Sequence, residues 1–134
     1  MTDLQLMQLA VEAREMAYAP YSGFRVGAAL LGKSGKVYKG CNVENAAYSP
    51  TNCAERTALF KAVSEGEREF TAIAIVGGRG ETIADFCAPC GVCRQVLAEF
   101  CDEDFRLVLG NPDQIKTYTF AEILPLSFGK NDLE

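Results

Sequence analysis

Histidine is absent from this 134-residue chain. Its absence removes the Ser-His-Asp triad, cysteine nucleophiles activated by imidazole, and every zinc site built on imidazole nitrogen. Cysteine, aspartate and glutamate remain as metal ligands. Clusters of lysine and arginine are also scarce, and the formal charge is -5. Nucleic-acid binding rests largely on neutralising phosphates, so this balance points away from a polyanionic partner and toward a small neutral substrate. No apolar run approaches the roughly 20 residues needed to span a bilayer. The first turns carry Asp3 and Glu12 where a leader would carry basic residues. The expectation is a soluble, cytoplasmic protein without nucleic-acid or membrane partners.

The chain does contain six cysteines. An even number would suit a disulfide framework, but such frameworks belong mainly to shorter secreted chains, so reduced thiols are expected. The length is enough to bury one substantial core and too short for two, and residues 1–134 read as a single domain. A second functional unit would have to come from another copy.

The apolar periodicity supplies the elements. Thr2 and Gln5 form a capping-box pattern, after which Leu6, Leu9, Ala10, Ala13, Met16 and Ala17 recur at helical spacing to about Ala17. Turn chemistry at Ala19-Pro20-Tyr21-Ser22-Gly23 precedes two strands, Phe24 to Leu31 and Lys36 to Val43, joined as a hairpin through Gly32-Lys33-Ser34-Gly35. A polar loop from Asn42 to Asn52 leads to a helix over Ala54 to Ser64, with Asn52 as its cap and Gly66 as its stop. Thr71 to Val76 reads as a buried strand, Gly77 to Ala88 as a loop, and Pro89 to Phe100 as a helix burying Val96, Leu97 and Phe100. Strands at Phe105 to Leu109 and Ile115 to Tyr118 follow, then a short helix introduced by the pair Thr119 and Glu122. Strands separated by helices usually pair in parallel. The fold class expected is α/β, a three-layer α-β-α arrangement around a mixed sheet of about five strands.

Two groups of residues carry chemistry, Cys53-Ala54-Glu55 and Pro89-Cys90-Gly91-Val92-Cys93. Both fall at predicted helix starts, where free N–H groups and the positive end of the helix dipole favour thiolate, the form that binds metal. Three thiolates leave one corner of a tetrahedral zinc free for water, which distinguishes a catalytic site from a closed structural one. Glu55 is near enough to move protons beside such a water without serving as a ligand. Packing offers a competing account: Glu55 three residues after Asn52 could complete a helix cap, and Cys90, Cys93, Leu97 and Phe100 share one helical face. The joint occurrence of the two cysteine groups with the intervening acid favours the zinc reading. Cys87 extends the second group to C-x-x-C-x-x-C, which superficially resembles an iron-sulfur pattern but lacks the terminal Cys-Pro. Cys41 and Cys101 read as buried thiols. The glycine-rich Gly77-Gly78-Arg79-Gly80 lacks the Lys-Ser/Thr of a phosphate loop.

Four motifs in order complete the reading: Tyr21-Ser22-x-Phe24-x-Val26-Gly27-Ala28, Gly40-Cys41-Asn42-Val43-Glu44-Asn45-Ala46, Cys53-Ala54-Glu55-Arg56 and Pro89-Cys90-Gly91-x-Cys93-Arg94-Gln95. With these, essentially the whole chain resembles the small homotetrameric cytidine deaminases. The resemblance implies one Zn²⁺ per subunit on Cys53, Cys90 and Cys93, and hydrolytic deamination of free cytidine and 2'-deoxycytidine in pyrimidine salvage. It implies that Glu55 moves the protons, taking one from the attacking water and delivering protons to N3 and the departing ammonia. Zn²⁺ with three thiolates carries one net negative charge, which opposes ionisation of bound water. Arg56 is implied to offset it by hydrogen-bonding the thiolates, in the same sense as the helix dipoles. The resemblance further assigns Asn42 and Glu44 to the ribose 3'-hydroxyl, Phe24 to a wall beside the pyrimidine, and the Ala54 N–H to the base carbonyl. Tyr48 and Phe128 would reach a neighbouring subunit's site. The stretch from Gly77 to Phe86 and Cys87 depart from the commonest family pattern.

Competing readings are a zinc deaminase of another cytosine compound, such as blasticidin S, and a structural zinc module with Cys87 as fourth ligand. Deaminases of bases within nucleic acids usually combine histidine with two cysteines and a more basic surface, which this chain lacks.

Overall fold

The computed structural model describes residues 1–84 and 86–133. Helix α1 spans Asp3–Arg14 with its capping box in place: the Gln5 N–H donates to Thr2 Oγ1 at 3.1 Å, and the Thr2 N–H donates to Gln5 Oε1 at 2.8 Å. It stops three residues before the predicted end at Ala17. From Tyr18 onward the backbone is claimed by the segment after the hairpin, with the Tyr18 N–H on Asn42 O at 3.0 Å and the Glu44 N–H on Tyr18 O at 2.9 Å. Met16, expected on the apolar stripe, is consequently exposed.

Strands β1 (Phe24–Gly32) and β2 (Val37–Cys41) form the predicted antiparallel hairpin, and Gly35 supplies the positive φ its turn requires. Helix α2 covers Ala54–Ser64 as expected, ending ahead of Gly66 at φ 97°. Its N-cap is Cys53, one residue later than predicted, and Asn52 Nδ2 donates to the Thr57 hydroxyl at 3.1 Å. Strand β3 (Phe70–Arg79) runs three residues beyond the expected end at Val76. Two glycines weaken its strand signal, but pairing with Phe24, Arg25 and Val26 of β1 carries it on through Gly77, Gly78 and Arg79. The predicted loop therefore starts later, and Asp85 within it lies outside the described residues.

Helix α3 (Gly91–Ala98) is shorter at both ends than the predicted Pro89 to Phe100, with Cys90 as N-cap. Strands β4 (Arg106–Asn111) and β5 (Gln114–Thr119) follow, then helix α4 (Phe120–Ile123), where the Thr119 N–H donates to Glu122 at 2.8 Å. A 3₁₀ turn at Lys130–Leu133 was not expected.

The sheet order is β2-β1-β3-β4-β5, with β3 and β4 parallel and the other pairs antiparallel. The parallel pair is the one connected through α3. Alternation along the strands divides the core in two. One face joins Ala29, Ala72, Ala74 and Val108 to Leu6, Met7 and Ala10 of α1. The opposite face joins Leu30, Ile73, Ile75 and Leu107 to Ala58, Leu59, Leu97 and Phe120 of the other helices. This is the expected α-β-α layering.

Two glycines set the helix distances. A Cβ on Gly27 would lie 2.1 Å from Ala10 O of α1, and one on Gly40 would lie 2.4 Å from Ala58 N of α2. Bare Cα positions let both helices approach their strands more closely than a side chain would allow. Among the described residues no helix is long and apolar enough to cross a membrane.

Candidate active site and metal centre

Helices α2 and α3 both lie on the face opposite α1 and begin at cysteine. N-cap positions usually carry Ser, Thr, Asp or Asn, whose oxygens satisfy free N–H groups. Neither Cys53 nor Cys90 makes such a bond. Their sulfurs instead face each other at 3.8 Å, and Cys90 lies 3.5 Å from Cys93, one turn into α3. All three sulfurs fall within 4.8 Å of one another and none is in a disulfide. The pairing of Val43 with Asn52, two N–H to O=C bonds of 2.9 Å, closes the preceding loop immediately before Cys53 and fixes its entry.

The electrostatics of this cluster test whether it suits a metal. The Cys53 thiol is lowered to about 5, chiefly by a hydrogen bond from Cys93 and further by Arg56, against the opposing effect of burial. Cys93 is pushed up by the same bond and by its complete burial. The negative charge on one sulfur opposes ionisation of the next, and a cation among them would remove that opposition. Three soft sulfur donors on two helix N-termini fit Zn²⁺, with one coordination position left open.

Glu55, in the first turn of α2, is only 4% exposed, and burial pushes its carboxyl up to about 7. It does not complete a cap with Asn52. Arg56 Nη2 donates to Cys53 Sγ at 3.3 Å, while Arg56 Nε is buried without a hydrogen-bond partner among the described residues. The carboxyl is therefore poised to be either charged or neutral beside the cluster, and the guanidinium withdraws charge from a sulfur.

The model for the cytidine and deoxycytidylate deaminase zinc-binding region matches residues 1–109. The chain belongs to this family. It is 52% identical over 130 residues to a cytidine deaminase of Sporosarcina psychrophila, covering 96% of this chain and 93% of that one. It is also 52% identical over 129 residues to a cytidine deaminase of Halalkalibacterium halodurans, covering 96% and 95%. The crystal structure of cytidine deaminase from Burkholderia pseudomallei superposes with a TM-score of 0.87 at 50% identity, covering 96% of this chain and all of that one.

The other residues that the family resemblance singled out fall into two groups. Asn42, Glu44 and Phe24 converge on the β1 end of the hairpin. Asn42 Oδ1 accepts the Val26 N–H and its Nδ2 donates to Phe24 O, both at 2.8 Å. Glu44 accepts the Tyr21 and Ser22 N–H groups at 2.9 and 3.1 Å, together with the Ser22 hydroxyl. Ala54 is fully buried at the first position of α2, where its N–H has no partner within the helix. Tyr48 and Phe128 form the second group, 73% and 61% exposed. Tyr48 sits at φ 64°, edge-on to Tyr21 at 6.3 Å, and with Ser22 and Glu44 lines a pocket of about 390 Å³. The backbone of Phe128 is tied to α3 through Gln95 at 2.8 Å. A larger cavity of about 930 Å³, lined by Arg68, Phe100, Cys101, Asp102 and Lys130, contains none of these residues and none of the three clustered cysteines.

Cys87 is outside the three-sulfur cluster. Its sulfur packs over Gly77 near Phe24, and burial raises it to about 11, with the charges of Glu55 and Cys53 adding. Burial also raises Cys41 and Cys101, both half-buried. Sequence reasoning overlooked Arg14. It is almost fully buried and donates to Arg25 O, Gly78 O, Gly80 O and Thr82 O at 2.6 to 3.1 Å, fastening the loop that leads to Cys90. The signal was its place four residues after Ala10 on the buried stripe of α1.

Proposed function

We propose that this chain converts free cytidine and 2'-deoxycytidine to uridine and 2'-deoxyuridine, adding water at C4 and releasing ammonia. The observation that carries the reading is the convergence of Cys53, Cys90 and Cys93 at two helix N-termini beside the buried carboxyl of Glu55. The three thiolates would hold one Zn²⁺ per subunit, and that ion supplies Lewis-acid activation of water at neutral pH.

The chain's own groups then divide the work. Glu55 accepts a proton from the attacking water, returns it to N3 of the pyrimidine, and carries the next proton to the amine as it leaves C4. A carboxyl held near neutrality by burial suits both directions of transfer. Arg56 draws charge from Cys53 and so offsets the excess negative charge of three sulfurs. The free N–H of Ala54 holds the base carbonyl, Phe24 flanks the ring, and Asn42 with Glu44 holds the ribose 3'-hydroxyl. Tyr48 and Phe128 are exposed and would reach a second copy in a homotetramer with shared sites. Residues 1–134 act as one catalytic unit in the cytoplasm, within pyrimidine salvage.

The test is incubation of the zinc-loaded protein with cytidine and, separately, with blasticidin S. The reading predicts equal amounts of uridine and ammonia from cytidine. Deamination of blasticidin S alone would replace it.

A further inference from the structure

We propose that Ser22 is a positioning residue for ribose recognition, holding the Glu44 carboxylate in one orientation with a single acceptor position open to the substrate's 3'-hydroxyl. The inference rests on the reading of Glu44 as a ribose contact and adds a positioning residue to it.

Donors and acceptors around Glu44 can be counted one by one. Ser22 Oγ accepts the Phe24 N–H at 3.0 Å, so its single hydrogen is free to point elsewhere, and it points at Glu44 Oε2. Glu44 Oε1 is already filled by the N–H groups of Tyr21 and Ser22. A carboxylate offers about four acceptor positions, and three donors from the turn before β1 occupy all but one, on Oε2. These donors hold the Glu44 carboxyl below its usual range, chiefly through the Ser22 hydroxyl. Asn42 is similarly committed to the backbone of Phe24 and Val26, which leaves one Nδ2 hydrogen as its free donor. Both side chains reach back onto the same stretch, residues 21–26. A hydroxyl placed between them donates to Glu44 and accepts from Asn42. A group that can only accept lacks the hydrogen that Glu44 requires.

Removing the Ser22 hydroxyl frees one carboxylate oxygen to rotate and detaches Glu44 from Phe24. The experiment measures kcat and KM for cytidine and 3'-deoxycytidine with the zinc-loaded wild type, Ser22→Ala and Ser22→Thr. Expected is a loss of about tenfold in kcat/KM for cytidine in Ser22→Ala, carried by KM, since the hydrogen bond removed is one to a charged group. For 3'-deoxycytidine the same variant should stay within roughly twofold of wild type. Ser22→Thr keeps the hydroxyl and restores discrimination. Because Ser22 is exposed, the threonine methyl has room. An equal loss on both substrates, or on neither, overturns the role of Ser22. A wild type that handles the two substrates alike overturns the Glu44 reading beneath it, and a wild type inactive on cytidine overturns the deaminase reading as a whole.

Discussion

Glu55 and the three cysteines depend on one another. A carboxyl almost sealed from water favours its neutral form, and Cys93 is held up first by its bond to Cys53 and then by burial, while the same bond lowers Cys53. A cation among the sulfurs removes the second penalty. The role of Cys87 separates a catalytic from a structural centre. Its thiol packs on Gly77 and is not one of the three clustered sulfurs, so Cys87→Ser should keep both zinc and deaminase activity. Cys93→Ser should lose most of its zinc, as measured by metal analysis after gel filtration. Loss of zinc in Cys87→Ser with retention in Cys93→Ser would reverse the assignment of ligands. The cysteines and Glu55 were legible in the sequence because their spacing is chemical. Arg14 was not, because a buried arginine satisfied by carbonyls depends on where a distant loop folds.

At the scale of elements, the two capping boxes read well, while the Asn52 cap, the ends of α3 and the long-range signals did not. The capping residues Thr2 and Gln5, and Thr119 and Glu122, act within one turn and appear in the structure as expected. The end of α1 and the length of β3 were misplaced because each is decided by a partner far along the chain, Asn42 for the first and Phe24 to Val26 for the second. Gly40 belongs to the same class. Its importance lies in the closeness of α2, which carries Cys53 and Glu55 at its start. Gly40→Ala would push a methyl against the backbone of Ala54 and Ala58. We expect a loss of about 1–3 kcal/mol in stability by denaturant unfolding, together with weaker zinc retention as α2 shifts. Unchanged stability would mean that the helix is free to move away.

For the whole molecule, the α-β-α layering brings two helix N-termini to one point while leaving Tyr48 and Phe128 on the surface. Tyr48 is exposed beside a pocket, and the homotetramer proposed above would complete that pocket with another copy. Sedimentation should therefore give a mass four times that of the chain, and activity per chain should fall on dilution below assembly. A fully active monomer would remove Tyr48 and Phe128 from the site. The central claim is that the cysteine cluster and Glu55 form one deaminating centre. It is tested most directly by ammonia release from cytidine in the wild type and in Glu55→Gln, matched for zinc content. The account predicts ammonia from the wild type and a loss of at least about 10²-fold in kcat in the variant. Undiminished activity in zinc-matched Glu55→Gln would contradict it.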